Sequence, residues 1–196
     1  MSLAWRGVLA LSIVALLSLG SCLPVPLGDP ATSKVDPALR GYWLNQERGE
    51  SMLALIAPFD ERTYVIDSVS NDKAGHLICK AWRTEIKGKV FLTLQSISNL
   101  ADPNEKAEYP TFRLDLKDNQ LEATMLKREF KGFKDVQDAA SLAKVVSEHV
   151  NDPEMYDDVL TFQKLDPKKS ADRSTIDSFM TQRPSSSKQP ATKNAD

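Results

Sequence analysis

The chain contains little cysteine and little histidine, and neither basic nor acidic residues predominate. Two cysteines, Cys22 and Cys79, allow one disulfide at most. The two histidines, His76 and His149, have no cysteine or carboxylate neighbours at metal-ligand spacing. With 25 Lys and Arg against 27 Asp and Glu, the net charge of −2 does not indicate the basic surface that nucleic-acid binding uses. We therefore expect no metal site and no nucleic-acid partner.

The sequence signatures of catalysis are also lacking. The chain has no glycine-rich phosphate loop, no nucleophile elbow and no paired-carboxylate signature of the kind that acid–base catalysis uses. Cys79 lies in an apolar segment, where a small buried side chain is a more common role than a reactive thiol. We expect neither an enzyme nor a bound cofactor.

Residues 1–21 have the three parts of a secretory signal peptide. Arg6 supplies a positive charge, an apolar segment follows over residues 7–19, and the small residues Gly20 and Ser21 precede Cys22. This apolar segment is too short to span roughly 30 Å of hydrocarbon with polar anchors at both ends. We expect cleavage between Ser21 and Cys22.

Leu19-Gly20-Ser21-Cys22 resembles the lipobox of bacterial lipoproteins. In that family the cysteine thiol takes a diacylglyceryl group, the signal peptide is cut just before it, and the new amino group is usually acylated. The resemblance implies that Cys22 attaches lipid and that the mature chain has a membrane as its partner. The residue after the cysteine is Leu23 and not Asp. By the same resemblance, this implies an outer-membrane lipoprotein that faces the periplasm. The alternative is an ordinary signal peptide whose Cys22 forms a disulfide with Cys79.

The segments on either side of the expected domain have the composition of linkers. Residues 22–34 contain Pro24, Pro26 and Pro30, and predict an extended, solvated tether of up to roughly 40 Å. Residues 167–196 are rich in Ser, Thr, Lys and Pro, and predict a disordered tail. Apolar residues in this tail allow one transient helical turn as an alternative. The folded domain is expected over residues 35–166.

Most of this domain has the signals of β-strands, either alternating apolar and polar residues or short apolar runs. The expected strands are 39–46, 52–57, 63–70, 76–86, 89–95, 111–116, 120–126 and 159–165. Lys87-Gly88 and Asp118-Asn119 predict tight hairpin turns. Asp138 predicts the N-cap of one helix, which Asp152-Pro153 ends.

About eight antiparallel strands are enough to close a barrel, and closure removes exposed strand edges. Such a barrel has room for side chains or for one small ligand. The helix places the last strand where it can pair with the first. We therefore predict a mainly β fold, an antiparallel barrel of about eight strands with one helix before the last strand. A half-open barrel or a two-sheet sandwich is the alternative.

Gly41-Tyr42-Trp43 in the first strand resembles the Gly-x-Trp motif of lipocalins and lipocalin-like barrels. The resemblance implies that Gly41 bends the strand at the barrel floor and that Trp43 plugs this floor. It also implies that a basic residue of the last strand, here Lys164, stacks on the tryptophan. The chain departs from the family because it lacks a Thr-Asp-Tyr motif and because its helix precedes an eighth strand rather than a ninth.

A barrel with few catalytic groups favours the binding of a small apolar molecule, such as a lipid or fatty acid. The expected lining residues are Tyr64, Ile66, Ile78, Trp82, Phe91 and Phe112. A second function stays open, in which the interior is filled and the lipoprotein docks an envelope protein through residues 97–110 or through the tail. The sequence does not identify that protein partner.

Overall fold

Eight antiparallel strands pair in chain order and close into a barrel in the computed structural model of the protein. The structure describes residues 23–47, 49–71, 75–97 and 107–181. The strands are β1 (Gly41–Glu47), β2 (Glu50–Pro58), β3 (Thr63–Ser70), β4 (His76–Ile86), β5 (Lys89–Ser96), β6 (Thr111–Lys117), β7 (Gln120–Leu126) and β8 (Tyr156–Leu165). Helix α1 (Ala139–His149) connects β7 to β8, and α2 (Ser170–Met180) follows β8.

The predicted fold class is confirmed. Trp43 of β1 pairs with Lys164 of β8, and Leu44 pairs with Gln163, so the sheet closes on itself. The half-open barrel and the two-sheet sandwich are therefore wrong. Helix α1 precedes the last strand as expected, and Asp138 caps it by accepting a hydrogen bond of 2.7 Å from the Ser141 N–H.

The barrel has two different ends because neighbouring strands run in opposite directions. The floor end holds the start of β1 and the tight turns at Lys87-Gly88 and Asp118-Asn119. Lys87 and Gly88 both have positive φ, 50° and 73°, as a two-residue hairpin turn needs. The mouth end holds the last residues of β1, β3, β5 and β7, together with the longer connections. The predicted loop at 97–110 belongs to this end, although residues 98–106 lie outside the described residues.

The barrel interior contains one cluster of buried residues drawn from every strand. Side chains alternate along each strand, and residues paired across strands share a face. The buried members are Leu39, Trp43, Ala54, Ile56, Tyr64, Ile66, Ala81, Leu92, Leu114, Leu121, Ala123 and Phe162. This set fixes which residues of each strand face inward.

Both helices pack on the outside of the barrel. Leu142 and Val146 of α1 are buried in an outer cluster that includes Phe91. Ile176 and Phe179 of α2 are buried in another outer cluster. The prediction of a disordered tail is therefore wrong for residues 170–180, because these two side chains find an apolar wall to cover. Residues 182–196 lie outside the described residues. No described helix has the length and apolar character that a bilayer span requires.

The prediction of a solvated tether is also wrong for residues 23–34. Leu23 and Leu27 are 1% and 0% exposed. The Leu27 carbonyl accepts hydrogen bonds from Trp82 Nε1 at 3.0 Å and from the Thr93 hydroxyl at 3.0 Å. The segment lies on the outer wall of β4 and β5 because this wall offers both apolar surface and side-chain donors.

At Gly28 the N-terminal segment passes close to the barrel wall. Replacing this glycine with alanine tests the contact. Gly28 has a φ of 77°, and an added methyl group would overlap the Thr84 hydroxyl. We expect Gly28→Ala to cost about 1–2 kcal/mol for the backbone conformation and a further 1–3 kcal/mol or so for the overlap. Urea unfolding measures the change.

Gly88→Ala is the matched control. Gly88 has a similar φ of 73°, but a methyl group there has no heavy atom within 4 Å. This variant carries the backbone cost alone. Equal losses of stability in the two variants would contradict docking of the segment through Gly28.

Candidate functional site

The floor of the barrel is closed by Trp43, whose side chain is fully buried. Its Nε1 donates a hydrogen bond of 2.7 Å to the Leu39 carbonyl. Lys164 lies over the indole ring with its Nζ 4.9 Å from the ring centroid, and the same Nζ donates to the Ala38 carbonyl at 2.7 Å. The predicted stacking of Lys164 on Trp43 is confirmed, and the contact joins the first strand to the last.

Gly41 makes room for that contact. Its φ of 126° lies in a region that residues with a side chain rarely adopt. A Cβ at Gly41 would also lie 3.1 Å from Cε of Lys164. The glycine therefore allows both the path of β1 at the floor and the close approach of the lysine stem.

Three of the six predicted lining residues face the interior. Tyr64 is fully buried, and its hydroxyl accepts a hydrogen bond from the Asp36 N–H at the floor end. Burial raises the pKa of Tyr64 above its ordinary value, because the phenolate would be desolvated. Ile66 belongs to the buried interior cluster, and Phe112 is partly buried against it.

The other three predictions are wrong. Ile66 pairs with Cys79, so the odd-numbered residues of β4 face inward while Ile78 and Trp82 face outward. Ile78 is 36% exposed, whereas Trp82 is buried beneath the N-terminal segment. Phe91 is also outward, since its neighbour Leu92 belongs to the interior cluster.

The sequence pattern did not decide which face of β4 and β5 points inward. Alternation placed Leu77, Cys79 and Ala81 on one face of β4 and Ile78 and Trp82 on the other, without saying which face was inside. The segment from Leu23 to Ser33 covers the outer wall, and no regular pattern in the sequence marked it as a covering layer. The small residues Cys79 and Ala81 are the ones that fit inside.

The interior differs in packing between its floor half and its mouth half. Toward the floor, Trp43, Tyr64 and Leu121 are buried. Val90 there is partly buried. Toward the mouth, Met125 is buried, whereas four inward-facing apolar side chains are only partly buried although they pack against the same cluster. These side chains are Met52, Leu94, Phe112 and Leu160. The mouth half of the interior is therefore an apolar region within reach of solvent.

Cys79 lies below this region and is a free, buried thiol. Burial raises its pKa to about 11. Both histidines contact carboxylates: His76 lies 2.8 Å from Asp67, and His149 lies 3.6 Å from Asp152. Within the described part of the chain, histidine, cysteine, aspartate and glutamate do not gather into a group that could hold a metal ion.

Two open clefts lie outside the interior, and both are lined largely by polar residues. One, of about 430 Å³, lies at the floor end beside Arg40 and Lys164. The other, of about 480 Å³, lies between residues 31–35 and the turn at Glu61-Arg62. Neither offers the apolar lining that a small hydrophobic ligand needs.

The fold and the site together define a closed eight-stranded antiparallel barrel with a plugged floor and an apolar mouth. Comparisons with known protein families, with characterised proteins and with solved structures found no match.

Lys164→Met tests the closure at the floor. The methionine keeps most of the apolar stem but removes the charge that lies over Trp43 and the donor to Ala38. We expect a loss of about 1–2 kcal/mol in the free energy of unfolding. Lys117→Met, at an exposed position of β6, is the control and should change stability little. The closure contact would be contradicted if both variants unfold at the same urea concentration.

The reactivity of Cys79 tests its burial. With a pKa near 11 in place of 9.0, the thiolate fraction at pH 8 falls by about 100-fold. In a soluble form with Cys22→Ser, we expect an aromatic disulfide reagent at pH 8 to modify Cys79 at least that much more slowly in the native than in the urea-unfolded protein. Similar rates in the two states would show that solvent reaches Cys79.

Proposed function

We propose that this protein is a lipoprotein of the bacterial envelope, anchored through Cys22, that binds one small apolar molecule in the mouth half of its barrel. The site is expected to face the periplasm from the outer membrane. The observation that carries the binding proposal is the set of partly buried, inward-facing apolar side chains at the mouth. In water such a surface favours an apolar occupant.

The lipid anchor is supported by the lipobox-like residues Leu19-Gly20-Ser21-Cys22. The positions of the described residues Cys79 and Leu23 support the anchor over the alternative disulfide between Cys22 and Cys79. Cys79 faces the barrel interior, whereas Leu23 is held on the outer wall by its pairing with Tyr109. A disulfide requires Cα atoms within about 7 Å, so the different positions of Cys79 and Leu23 favour lipid attachment over the disulfide.

The chemistry of the mouth half favours a fatty-acyl chain or a similarly narrow apolar molecule. The inward residues there include Met52 and Met125, whose unbranched side chains adapt to ligands of irregular shape. Each methylene group that leaves water contributes about 0.8 kcal/mol. A chain of several methylenes therefore gains useful affinity without any ionic contact, and the floor set by Trp43 limits how deep the chain reaches.

A second function is supported by the packing of the floor half. Trp43, Tyr64 and Leu121 fill this part of the interior, and a barrel filled to its mouth would serve as a scaffold that docks an envelope protein. The two functions differ in one measurable property, the binding of an apolar probe. A folded protein without saturable binding would favour the scaffold.

Leu160→Trp tests where the ligand binds. Leu160 faces inward opposite Ala123, so a tryptophan there occupies the mouth half of the interior. We expect a fluorescent polyene fatty acid to bind the soluble Cys22→Ser form with one equivalent per chain. In the Leu160→Trp variant we expect the affinity to fall at least tenfold.

Val159→Trp is the matched control, because Val159 is the adjacent residue, faces outward and is 46% exposed. It should bind the fatty acid as the parent does. Equal affinity in both variants would place the ligand elsewhere, and a lack of saturable binding in the parent would overturn the binding proposal. Native mass spectrometry of protein from its own host then identifies any ligand that co-purifies.

A further inference from the structure

We propose that the mouth end of the barrel rests on the bilayer that holds the anchor, with Leu77, Ile78 and Ile97 in contact with lipid. This inference rests on the proposed function, because it takes Cys22 as the site of lipid attachment. It adds an orientation and an interaction surface, which the lipobox resemblance and the barrel fold do not supply.

The path of the N-terminal segment sets the position of the anchor. Followed backward along the chain, from its C-terminal side, the segment starts at the floor end, where the Asp36 N–H donates to the Tyr64 hydroxyl. It then crosses the outer wall, where the Ser33 hydroxyl accepts from the Arg83 N–H at 2.9 Å and the Leu27 carbonyl accepts from Thr93. The segment therefore runs along the barrel from its floor toward its mouth.

The N-terminal end of the segment lies at the mouth. Leu23 pairs with Tyr109, whose N–H donates to the Leu23 carbonyl at 3.1 Å. Tyr109 comes just before β6, which begins at Thr111 on the mouth side of the barrel. The Cα atom of a residue bonded to Leu23 lies about 3.8 Å from that of Leu23. A lipid on Cys22 would therefore be attached one residue away from Leu23, which lies at the mouth end.

Three exposed apolar side chains lie at this same end, and we call them the mouth patch. Leu77 is 41% exposed, Ile78 is 36% exposed and Ile97 is 39% exposed. Leu77 and Ile78 are near the start of β4, and Ile97 directly follows β5. Cys79 pairs with Ser96, the residue before Ile97, so Ile78 and Ile97 both lie next to this pair, whereas Leu77 lies at the rim on the inward face of β4. Exposed apolar side chains grouped in this way mark a surface that binds lipid or protein.

The anchor decides between those two partners. A tether of zero free length holds the mouth patch next to a bilayer at a high effective concentration. Burial of apolar side chains in the bilayer interface then adds to the hold of the acyl chains. The apolar mouth half of the interior, which includes Leu94 and Leu160, would open toward lipid. An acyl chain could then enter the barrel without crossing bulk water.

Site-specific quenching in membranes tests the orientation. The full-length, lipid-modified protein is purified in a Cys79→Ala background and placed in phosphatidylethanolamine–phosphatidylglycerol vesicles. A polarity-sensitive dye is attached at Ile97→Cys, and quenching by lipids with brominated acyl chains is measured. Phe59→Cys is the matched control, because Phe59 is 62% exposed and lies at the floor end between β2 and β3.

We expect brominated lipids to quench the dye at position 97 at least threefold more than the dye at position 59. Equal quenching at the two positions, or stronger quenching at position 59, would overturn the orientation. Mass spectrometry of the same preparation reports the lipid on Cys22, and a chain without it would overturn both the anchor and this inference. A lipidated chain with no quenching at position 97 would overturn the orientation alone. Fatty-acid binding by the soluble Cys22→Ser form is a separate measurement, which tests the binding proposal and not the orientation.

Discussion

The pairing of β1 with β8 is the contact on which the rest of the structure depends, because it turns an open sheet into a barrel. Backbone register joins the strands at Tyr42–Leu165, Trp43–Lys164 and Leu44–Gln163. Toward the mouth, side chains of β1 continue the contact. Asn45 Nδ2 donates to the Thr161 carbonyl at 2.8 Å, and Glu47 Oε1 accepts from the Thr161 N–H at 3.0 Å. These two residues satisfy backbone groups of β8 that would otherwise lack a partner at this seam.

Closure gives the interior a tightly packed floor half and a mouth half that the proposed ligand would occupy. At the floor, Trp43 is held by the Leu39 carbonyl and by Lys164, and large buried side chains leave little room for change. Packing of this kind resists substitution, since both cavities and excess volume cost free energy. At the mouth, Leu94 and Leu160 are only partly buried. A substitution there would change the affinity for the proposed ligand with a smaller effect on folding.

The sequence was most informative where local rules decide the structure. The positive φ that a tight turn requires predicted Lys87-Gly88, and side-chain capping predicted Asp138 as the start of a helix. The stacking of Lys164 on Trp43 followed from a resemblance rather than from local rules.

The features that could not be predicted depend on contacts between distant residues. The face of β4 that points inward is decided by what covers Trp82 outside. Docking of residues 23–34 depends on hydrogen bonds to the Leu27 carbonyl from donors in β4 and β5, which are more than fifty positions away in the chain. No periodic pattern in the sequence predicts such a contact.

The docked N-terminal segment links the stability of the barrel to its placement in the cell. It buries Trp82, whose large apolar side chain would otherwise be exposed on the outer wall. The same contacts hold Leu23 at the mouth end, so under the proposed anchoring the end of the barrel nearest to the lipid is set by folding rather than by a flexible linker. A solvated tether would have left the orientation of the barrel free. If Cys22 carries the proposed lipid, the folded segment keeps the apolar mouth and the bilayer on the same side, as exchange of an apolar molecule between them requires.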